Sequence, residues 1–465
     1  MAARSTARPG ARDSLAQERL DVSETDVSCE ANPDVEQRRL HYISLFSGGF
    51  GLDLGMEQAE LHVAACVEWE AAMRDTIRKN RPEVTVIGDE EGDEEGDVAR
   101  IDPNTILRRA GIAKGEIDLV IGGPPCQSFS ILGKQKGLDD PRGSLMLHFI
   151  RLLQGTAAKA FILENVSNLV KVHKGAAYEQ IKRAFNAAGY AYVYTWVLNA
   201  ADYGVPQLRD RVFIIGFHET LAAVADWGIG QGAPTPTHQP RPEDDTRREA
   251  VAPTLFDTLT GAQAASGDPR PFYKTAAEAL SVSLDGVANH DLRPHGERVI
   301  NRYKDLTPGK RDHVDHTDRL RPDRPSGTVL VGSSDGGGRP FIHYEEPRHL
   351  TVREAARLQG FPDSWVFHGT QTEQYRMVGN AVPPALAAAV GKRVAAYLRA
   401  ALAASPPPGA GSTGPRNSST TGKDALGTVT SDPSSHEVEI DNDSTKPTTH
   451  RAAAGQRSRT MARSG

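Results

Sequence analysis

The chain contains little of what marks a secreted, membrane or metal-binding protein. It has only three cysteines, Cys29, Cys66 and Cys126, among 465 residues. Such a sparse, odd set excludes a disulfide framework and is typical of a reducing compartment, and its spacing matches no metal site. No apolar run is long enough to span a bilayer, and Met1–Arg19 lacks the apolar stretch of a secretory signal. We therefore expect a soluble cytoplasmic protein without a metal.

Hydrophobic residues are also scarce, at 38% of the chain, which is below the usual share in globular proteins. The two ends account for the deficit. Residues 1–38 are polar and lack periodicity, and residues 405–465 are rich in Pro, Gly, Ser and Thr. Segments of this composition cannot bury enough apolar surface to fold alone. We predict a disordered tail at each end and a folded part between them.

Positive charge is not in excess either, since the formal net charge is -6. This balance is unfavourable for a protein that contacts phosphates. However, the segment Asp89–Asp97 (DEEGDEEGD) holds seven carboxylates, and without them the charge is +1. Local charge therefore matters more than the total. We interpret the acidic segment as a solvated surface loop.

The first part of the folded chain, residues 39–220, contains short apolar runs separated by helical stretches. The runs include HYISLF, HVAACVE, IDLVIGG, KAFILEN and RVFIIGF. Runs of this length, bounded by Gly, Asn or acidic residues, are typical of buried parallel strands. Their alternation with helices predicts a doubly wound α/β sheet.

The next part, residues 221–369, is richer in Pro, Asp, Arg and His and has weak periodicity. It ends in a segment with a helical pattern, Thr351–Gln359. Residues 370–404 then include MVGNAVPPALAAAVGKRVAAYLRAALA, which predicts a short polar turn and a long Ala-rich helix. We expect a large α/β domain, a smaller irregular domain, and a final helix that returns to the large one.

Two features of the first region indicate a nucleotide-like ligand. Phe46–Gly51 (FSGGFG) follows the first strand, and glycines at such a turn let a ligand approach the backbone. The second strand ends at Glu68 and Trp69, where an acid commonly binds ribose hydroxyls and an aromatic ring can stack on adenine. A purely structural turn is the alternative for the glycines. Dinucleotide dehydrogenases share this pattern and are the first alternative function.

A second set of residues indicates covalent chemistry. Cys126 follows two prolines at the end of the IDLVIGG strand, where ligand sites lie in open α/β sheets. A lone cysteine is more often a buried structural residue, but such a residue needs no rigid polar loop around it. Glu164 ends the next strand and can act as an acid beside a thiolate. Arg209 and Arg211 alternate at the start of a further strand and can point the same way.

Five motifs occur in a characteristic order between Ile43 and Leu402: PPCQSFS, ENV, YGVPQLRDR, RHLTVREAARLQGFPDSW and GNAVPP. Together they resemble the DNA cytosine-5 methyltransferase family, of the bacterial restriction-modification type. The resemblance implies a Rossmann-like, S-adenosylmethionine-dependent domain at 39–220. It also implies a target-recognition domain at 221–369 and a returning motif and helix at 370–404. A dehydrogenase does not explain the Cys, Glu and Arg set.

The resemblance also implies roles for individual residues. Cys126 would attack carbon 6 of cytosine, Glu164 would hold a proton at nitrogen 3, and Arg211, with Arg209 more loosely, would bind the base carbonyl. The residues that would contact the cofactor are Phe46, Gly48, Glu68, Trp69, Asp97, Leu145 and Asn380. A catalytic loop closing on DNA would include Gln127, Ser130, Gly133, Lys134, Lys136 and Gly137. Two residues depart from the family pattern: Phe50 replaces a usual glycine, and Leu132 stands where some relatives have a small polar residue.

The implied partners are S-adenosylmethionine and double-stranded DNA, with no metal and no membrane. We expect a monomer, and a cognate restriction endonuclease would share its target site without stable binding. An RNA cytosine-5 methyltransferase and a non-catalytic regulatory relative are the remaining alternatives. Target readout is expected within Leu221–Arg319, although an ordinary surface loop is the commoner explanation for each contact candidate there. The candidates are Asn289, His290, Arg293 and Arg302.

Overall fold

The computed structural model describes residues 38–125, 144–171, 175–221, 232–242, 269–330 and 341–404. Seven strands among them form one sheet in the order β3-β2-β1-β4-β5-β7-β6. Their bounds are β1 Leu40–Leu45, β2 Leu61–Val67, β3 Val86–Ile87, β4 Leu119–Gly122, β5 Ala160–Val166, β6 Tyr192–Asn199 and β7 Asp210–Phe217. Strands β1 to β5 pair in parallel, so the predicted doubly wound α/β sheet is confirmed.

Ten α-helices accompany the sheet in this part of the chain. Their bounds are α1 Gly51–Gln58, α2 Ala71–Asn80, α3 Pro103–Ala110, α4 Ser144–Thr156, α5 Ala176–Ala187, α6 Ala276–Leu280, α7 Glu297–Asp305, α8 Val352–Gln359, α9 Gln371–Asn380 and α10 Pro384–Ala404. The sheet has a hydrophobic core on each face. Leu40 and Tyr42 of β1 belong to one core, and Ile43 and Leu45 belong to the other. Because successive strand residues point to opposite faces, a run that is apolar throughout marks a strand covered on both sides.

Helices α1 and α10 cover one face together, and α3, α4 and α5 cover the other. Glycines bring α1 and α10 close to each other. A Cβ atom on Gly55 would lie 2.3 Å from Cβ of Ala387, and one on Gly391 would lie 2.8 Å from Cβ of Ala59. The helix near the end of the described chain therefore completes a layer that begins with the first helix.

The orientation of β7 differs from the prediction. RVFIIGF was expected to be a parallel strand, but β7 runs antiparallel to both β5 and β6, with Arg211 opposite Val166. Most of β7 is buried, so its residues are as uniformly apolar as those of a parallel strand, and the run carries no signal of direction. The two-residue β3 and the edge strand β6 were not among the five predicted runs.

The described residues between 269 and 369 form three short helices, α6 to α8, and isolated bridges, but no ladder of strands. Side chains bind much of this backbone instead. The guanidinium of Arg319 donates to the carbonyl oxygens of Tyr303, Leu306, His343 and Glu345. That of Arg353 donates to the carbonyl oxygens of Ala288, Pro362 and Trp365. These bonds satisfy carbonyls that a sheet would otherwise satisfy.

The two predictions for the end of the folded part are largely confirmed. Helix α8 follows Thr351, whose hydroxyl and Glu354 form a capping box. The predicted Ala-rich helix is α10. The polar residues before it belong to the end of α9 rather than to a turn, and residues 381–383 connect the two helices. A third core joins α2, α8 and α9. Within the described residues, no helix has the length and apolar content needed to cross a membrane.

Candidate active site and cofactor site

The carboxyl ends of β1, β2, β4 and β5 lie along one edge of the sheet, and the antiparallel strand β7 begins there. Phe46 follows β1, Glu68 follows β2, and Glu164 lies near the end of β5. Ligands of doubly wound sheets bind at this edge, beside the point where the strand order reverses. The fold therefore gathers Phe46, Glu68 and Glu164 at one edge of the sheet.

The glycine-rich turn after β1 is tightly bent. Phe46, Gly48 and Phe50 have φ values of 57°, 54° and 68°, which lie in the left-handed region. A Cβ atom on Gly48 would meet nothing nearer than the carbonyl oxygen of Phe46 at 3.8 Å, whereas one on Gly49 would lie 2.9 Å from the carbonyl oxygen of Met377. Gly48 therefore leaves space for a ligand, while Gly49 allows the turn to pack on α9.

Phe50, which replaces the family's usual glycine, is fully buried. Its ring stacks on that of Trp365, with the centroids 5.3 Å apart and the planes 3° from parallel. The residue adopts the left-handed backbone conformation that glycine favours, and core packing holds it there. Its side chain thus extends into the third core, so the departure does not fill the space beside Gly48.

Glu68 is buried and supports the turn directly. Its Oε2 accepts a hydrogen bond from the backbone N–H of Gly48 at 2.8 Å, and its Oε1 accepts one from Glu70 at 2.9 Å. Burial raises the pKa of this carboxyl, and the two backbone bonds partly offset that effect. A carboxylate oxygen can accept more than one bond, so ribose hydroxyls can still be received. The neighbouring Trp69 is 67% exposed, which leaves its ring available for stacking.

The acidic segment is only in part the solvated surface loop that we predicted, since some of its residues are buried. Asp93 is buried and accepts the backbone N–H of Gly88 at 3.0 Å. Other carboxylates of the segment pair with arginines of the same region, namely Asp89 with Arg74 and Arg78, Glu90 with Arg109, and Glu94 with Arg100. These arginines neutralise part of the charge of the acidic segment, and only part of the segment faces solvent.

Asp97, at the end of this segment, lies close to the other cofactor candidates. A Cβ atom on the preceding Gly96 would lie 2.2 Å from the carbonyl oxygen of Glu68, so the two chain segments touch. One carboxylate oxygen of Asp97 accepts the N–H of Ala99 at 2.8 Å. Arg151 of α4 donates to the carbonyls of Val98 and Ile101. Helix α4, whose first turn includes Leu145, is thereby tied to the turn after Asp97.

Glu164 and Arg211 form an ion pair at the end of the sheet. Nε of Arg211 lies 2.9 Å from Oε1 of Glu164, and Glu164 is buried. Burial raises the pKa of the Glu164 carboxyl, and the charges of Arg211 and Arg209 counteract this only in part. A carboxyl in this environment is suited to holding a proton and releasing it to a neighbouring base.

The same carboxyl reaches the end of β4. A Cβ atom on Gly123 would lie 2.9 Å from Oε2 of Glu164, and the side-chain amide of Asn165 donates to the carbonyl oxygen of Pro124 at 3.0 Å. The first distance shows that Glu164 lies against Gly123, and the second is a hydrogen bond that holds the backbone two residues before Cys126. The role of Asn165 was not predicted, although it stands in the ENV motif. Cys126 itself and the six loop candidates Gln127, Ser130, Gly133, Lys134, Lys136 and Gly137 lie outside the described residues.

Arg209 is placed differently from Arg211. It is 1% exposed, and its guanidinium donates to the backbone carbonyls of Val329, Gly379 and Ala381. These bonds occupy the side chain inside the protein rather than at the edge of the sheet. Asn380, the cofactor candidate at the end of α9, stands exposed between two of the bonded carbonyls. The two arginines of the motif thus have different surroundings.

The target-contact candidates also differ from one another. The side-chain amide of Asn289 donates to the carbonyl oxygen of Phe367, and its oxygen accepts the N–H of Phe367. Nδ1 of His290 lies 3.1 Å from the hydroxyl oxygen of Thr351. Arg302 forms ion pairs with Asp312 and Asp315. Arg293 is exposed. Among the described residues no cluster of His, Cys, Asp and Glu could hold a metal ion.

Comparisons with known proteins concern the family and the fold. The family model described as C-5 cytosine-specific DNA methylase matches residues 40–396. The Type II methyltransferase M.NgoFVII of Neisseria gonorrhoeae is 36% identical over 74% of this chain and 83% of its own length. M1.HphI of Haemophilus parahaemolyticus is 35% identical over 76% and 86%. A crystal structure of a proposed DNA modification methyltransferase from an E. coli prophage aligns with a TM-score of 0.55 at 25% identity, covering 77% of this chain and 99% of that one.

Proposed function

Because this chain belongs to the C-5 cytosine-specific DNA methylase family, we propose that it transfers a methyl group from S-adenosylmethionine to carbon 5 of cytosine. The substrate is a cytosine flipped out of a specific duplex DNA sequence, since its carbon 6 is inaccessible within stacked DNA. The physiological role is DNA protection in a restriction-modification system, as the names of its relatives suggest.

The cofactor site is formed by the ends of β1 and β2 and the segments packed on them. S-adenosylmethionine supplies an electrophilic methyl group when bound. Glu68 accepts the ribose hydroxyls, the exposed ring of Trp69 stacks on adenine, and the open face of Gly48 admits the ligand. The remaining contacts are assigned to Phe46, Asp97, Leu145 and Asn380.

Cytosine carbon 5 is a poor nucleophile, so the ring must first be activated. The thiolate of Cys126 adds to carbon 6, and the displaced electron pair is received at nitrogen 3 together with a proton from Glu164. Carbon 5 then bonds to the methyl carbon as the bond from that carbon to the sulfonium sulfur breaks, so that the thioether S-adenosylhomocysteine is the leaving group. Loss of the carbon 5 proton to a base, cleavage of the carbon–sulfur bond and return of the nitrogen 3 proton to Glu164 yield 5-methylcytosine and free enzyme.

One observation carries this assignment: the buried Glu164 bonds Arg211 and also lies against Gly123, three residues before Cys126. An acid, a cation and the approach to the nucleophile therefore meet at one point. Arg211 can turn part of its guanidinium to the cytosine carbonyl while still pairing with Glu164, since it has several donors. The enzyme is expected to act as a monomer, with any cognate endonuclease sharing only its target sequence.

Transfer of labelled methyl groups from S-adenosylmethionine to duplex DNA and, separately, to tRNA tests this function. We expect labelling of DNA alone. Bisulfite sequencing of DNA from a methylation-deficient host that expresses the chain should then locate modified cytosines in one recurrent sequence. Labelling of tRNA alone would establish the RNA alternative, and labelling of neither would indicate a regulatory protein.

The nucleophile is tested by Cys126→Ala, which should abolish transfer because the proposed covalent step then has no thiolate. Cys29→Ala is the matched control and should retain activity, since Cys29 lies in the predicted N-terminal tail. The DNA complex of the wild type should become covalent with a cytosine analogue that blocks the final elimination. An active Cys126→Ala variant would contradict the mechanism.

A further inference from the structure

Three alternating residues of the QLRDR motif have unequal surroundings. Gln207 and Arg209 are 0% and 1% exposed, whereas Arg211 pairs with Glu164 at the edge of the sheet. In this motif the side chain of Arg211 pairs with the catalytic carboxyl, and those of Gln207 and Arg209 are buried inside the protein. The buried pair takes part in a hydrogen-bond network that the proposed chemistry does not use.

Arg209 holds the chain on both sides of Asn380. Its Nη2 donates to the carbonyl of Gly379 at 2.7 Å and to that of Ala381 at 3.2 Å, and its Nη1 donates to Val329 at 3.1 Å. No described carboxylate forms an ion pair with Arg209, so carbonyl dipoles are its direct partners. Removing the guanidinium would leave the buried carbonyls of Val329 and Gly379 without this donor and would weaken the hold on that of Ala381.

Gln207 and Gln359 close the network. The amide of Gln207 donates to Oε1 of Gln359 at 2.5 Å and accepts the N–H of Val329 at 2.9 Å. The amide of Gln359, which is the last residue of α8, donates to the carbonyl of Ala381 at 2.5 Å. The carbonyl after Asn380 thus receives bonds from two different side chains, and Val329 is held at both its N–H and its carbonyl.

We propose that Arg209 is a positioning residue of the cofactor site: it sets Asn380 through the carbonyls on either side and does not contact cytosine. Through the carbonyl of Val329 it also links this site to the expected target-recognition domain. The inference rests on the proposed role of Asn380 in binding S-adenosylmethionine. Burial lowers the pKa of Arg209 to about 9, so the group still carries its charge near neutral pH.

Calorimetric titration of the full chain with S-adenosylmethionine, without DNA, tests the proposal. Arg209→Lys should weaken binding by about tenfold, because an ammonium cannot reach three divergent carbonyls as a guanidinium does. Arg211→Lys should leave the Kd within about twofold but lower kcat, since Arg211 acts on the base. Equal cofactor affinity in wild type and Arg209→Lys would overturn the inference.

A matched control separates positioning from general stabilisation. Arg353 is also fully buried and also donates to three backbone carbonyls, but these belong to residues 288, 362 and 365. Arg353→Lys should lower the Tm while leaving cofactor affinity within about twofold. If both variants weaken cofactor binding equally, Arg209 has no special role.

A double-mutant cycle identifies the route of the effect. In an Asn380→Ala background, Arg209→Lys should cost less than about twofold in cofactor affinity, because the side chain that it positions is gone. Additive losses would overturn the proposal. If Arg209→Lys does not fold, Gln359→Met is used in the same cycle and should give a smaller loss of the same kind. A wild type that binds no S-adenosylmethionine would instead overturn the proposed function.

Discussion

The sheet and the region between residues 269 and 369 satisfy their backbones by different means. In the sheet, strands bond one another in continuous ladders. In the described part of the other region, the guanidinium groups of Arg319 and Arg353 bind carbonyls that lie far apart in the sequence. A ladder distributes its bonds over many residues, whereas an arginine concentrates several bonds in one side chain.

The two regions should therefore respond differently to amino-acid substitutions. The ends of the strands carry the proposed chemistry, so changes there should alter catalysis while the ladders preserve the fold. In the irregular region, most surface positions can vary, but loss of a single buried arginine releases several segments at once. Such a region can change its exposed residues while a few fixed side chains keep its shape.

The largest expected effect is on catalysis at the sheet edge. Glu164→Gln should lower kcat by roughly 10²–10⁴-fold, because an amide cannot release a proton to the base. Burial raises the pKa of the Glu164 carboxyl, so this carboxyl keeps its proton to a higher pH than an exposed one does. Its protonated fraction then falls as the pH rises through that pKa. Single-turnover methylation should therefore slow at high pH in the wild type but not in the variant. A fully active Glu164→Gln enzyme would remove this residue from the mechanism.

The next effect is on the irregular region. Arg319→Lys should lower the free energy of unfolding by about 2–4 kcal/mol, because up to four carbonyls lose a guanidinium donor. The matched change is Arg321→Lys, two residues away, where the exposed arginine pairs with Asp323. This control should cost less than about 1 kcal/mol. Denaturant unfolding measures both, and equal losses would contradict the idea that this region depends on buried arginines.

A smaller effect is expected inside the sheet region. Asp53 of α1 is fully buried, and neither of its carboxylate oxygens has a hydrogen bond of good geometry among the described residues. Burial raises its pKa to about 7, although the hydroxyls of Ser44 and Tyr42 partly oppose the rise. The folded state then binds the proton more tightly than the unfolded state, so stability should fall as the pH rises from about 4 to about 7.

Asp53→Asn should remove this loss and stabilise the protein at pH 8 by about 1–3 kcal/mol, since a neutral amide carries no buried charge. The measurement is the difference in unfolding free energy between wild type and variant at pH 5 and pH 8. A difference that does not change with pH would show that Asp53 does not titrate in this range.

The smallest effect concerns the acidic segment, which lies in the sheet region but is held by side chains. Glu94→Gln removes an exposed ion pair with Arg100 and should change stability by less than about 0.5 kcal/mol. Asp93→Ala should cost about 1–2 kcal/mol, because the buried N–H of Gly88 loses its acceptor. Thermal unfolding compares the two, and equal small shifts would restore our first interpretation of a solvated loop.

The sequence predicted the strands better than their arrangement. Apolar runs located β1, β2, β4, β5 and β7 because each is covered on both faces, which is a local property of composition. The direction of β7 depends on the connection through β6, whose mixed burial gives no such run. Strand β3 has only two residues, too few for any pattern. These features depend on tertiary contacts rather than on local sequence.

In the candidate site, too, local sequence predicted some features, whereas others depend on tertiary contacts. Glu68 and Glu164 were predicted from their places at strand ends, because the ends of parallel strands meet at one edge of a sheet. The bonds of Arg209 could not be predicted in this way. Its partners are backbone carbonyls near residues 329 and 380, and every residue has a carbonyl. The resemblance therefore grouped Arg209 with Arg211, although their surroundings differ.

The close contact between α1 and α10 has a consequence for protein synthesis. The ribosome makes α1 early and α10 more than 300 residues later, so the apolar side of α1 remains uncovered during most of translation. The glycine-rich turn before α1 lacks its supporting layer for the same period. A nascent chain should therefore acquire cofactor affinity only after α10 has left the exit tunnel. Translation that stops before Ala404 is expected to leave no methylating fragment in the cell.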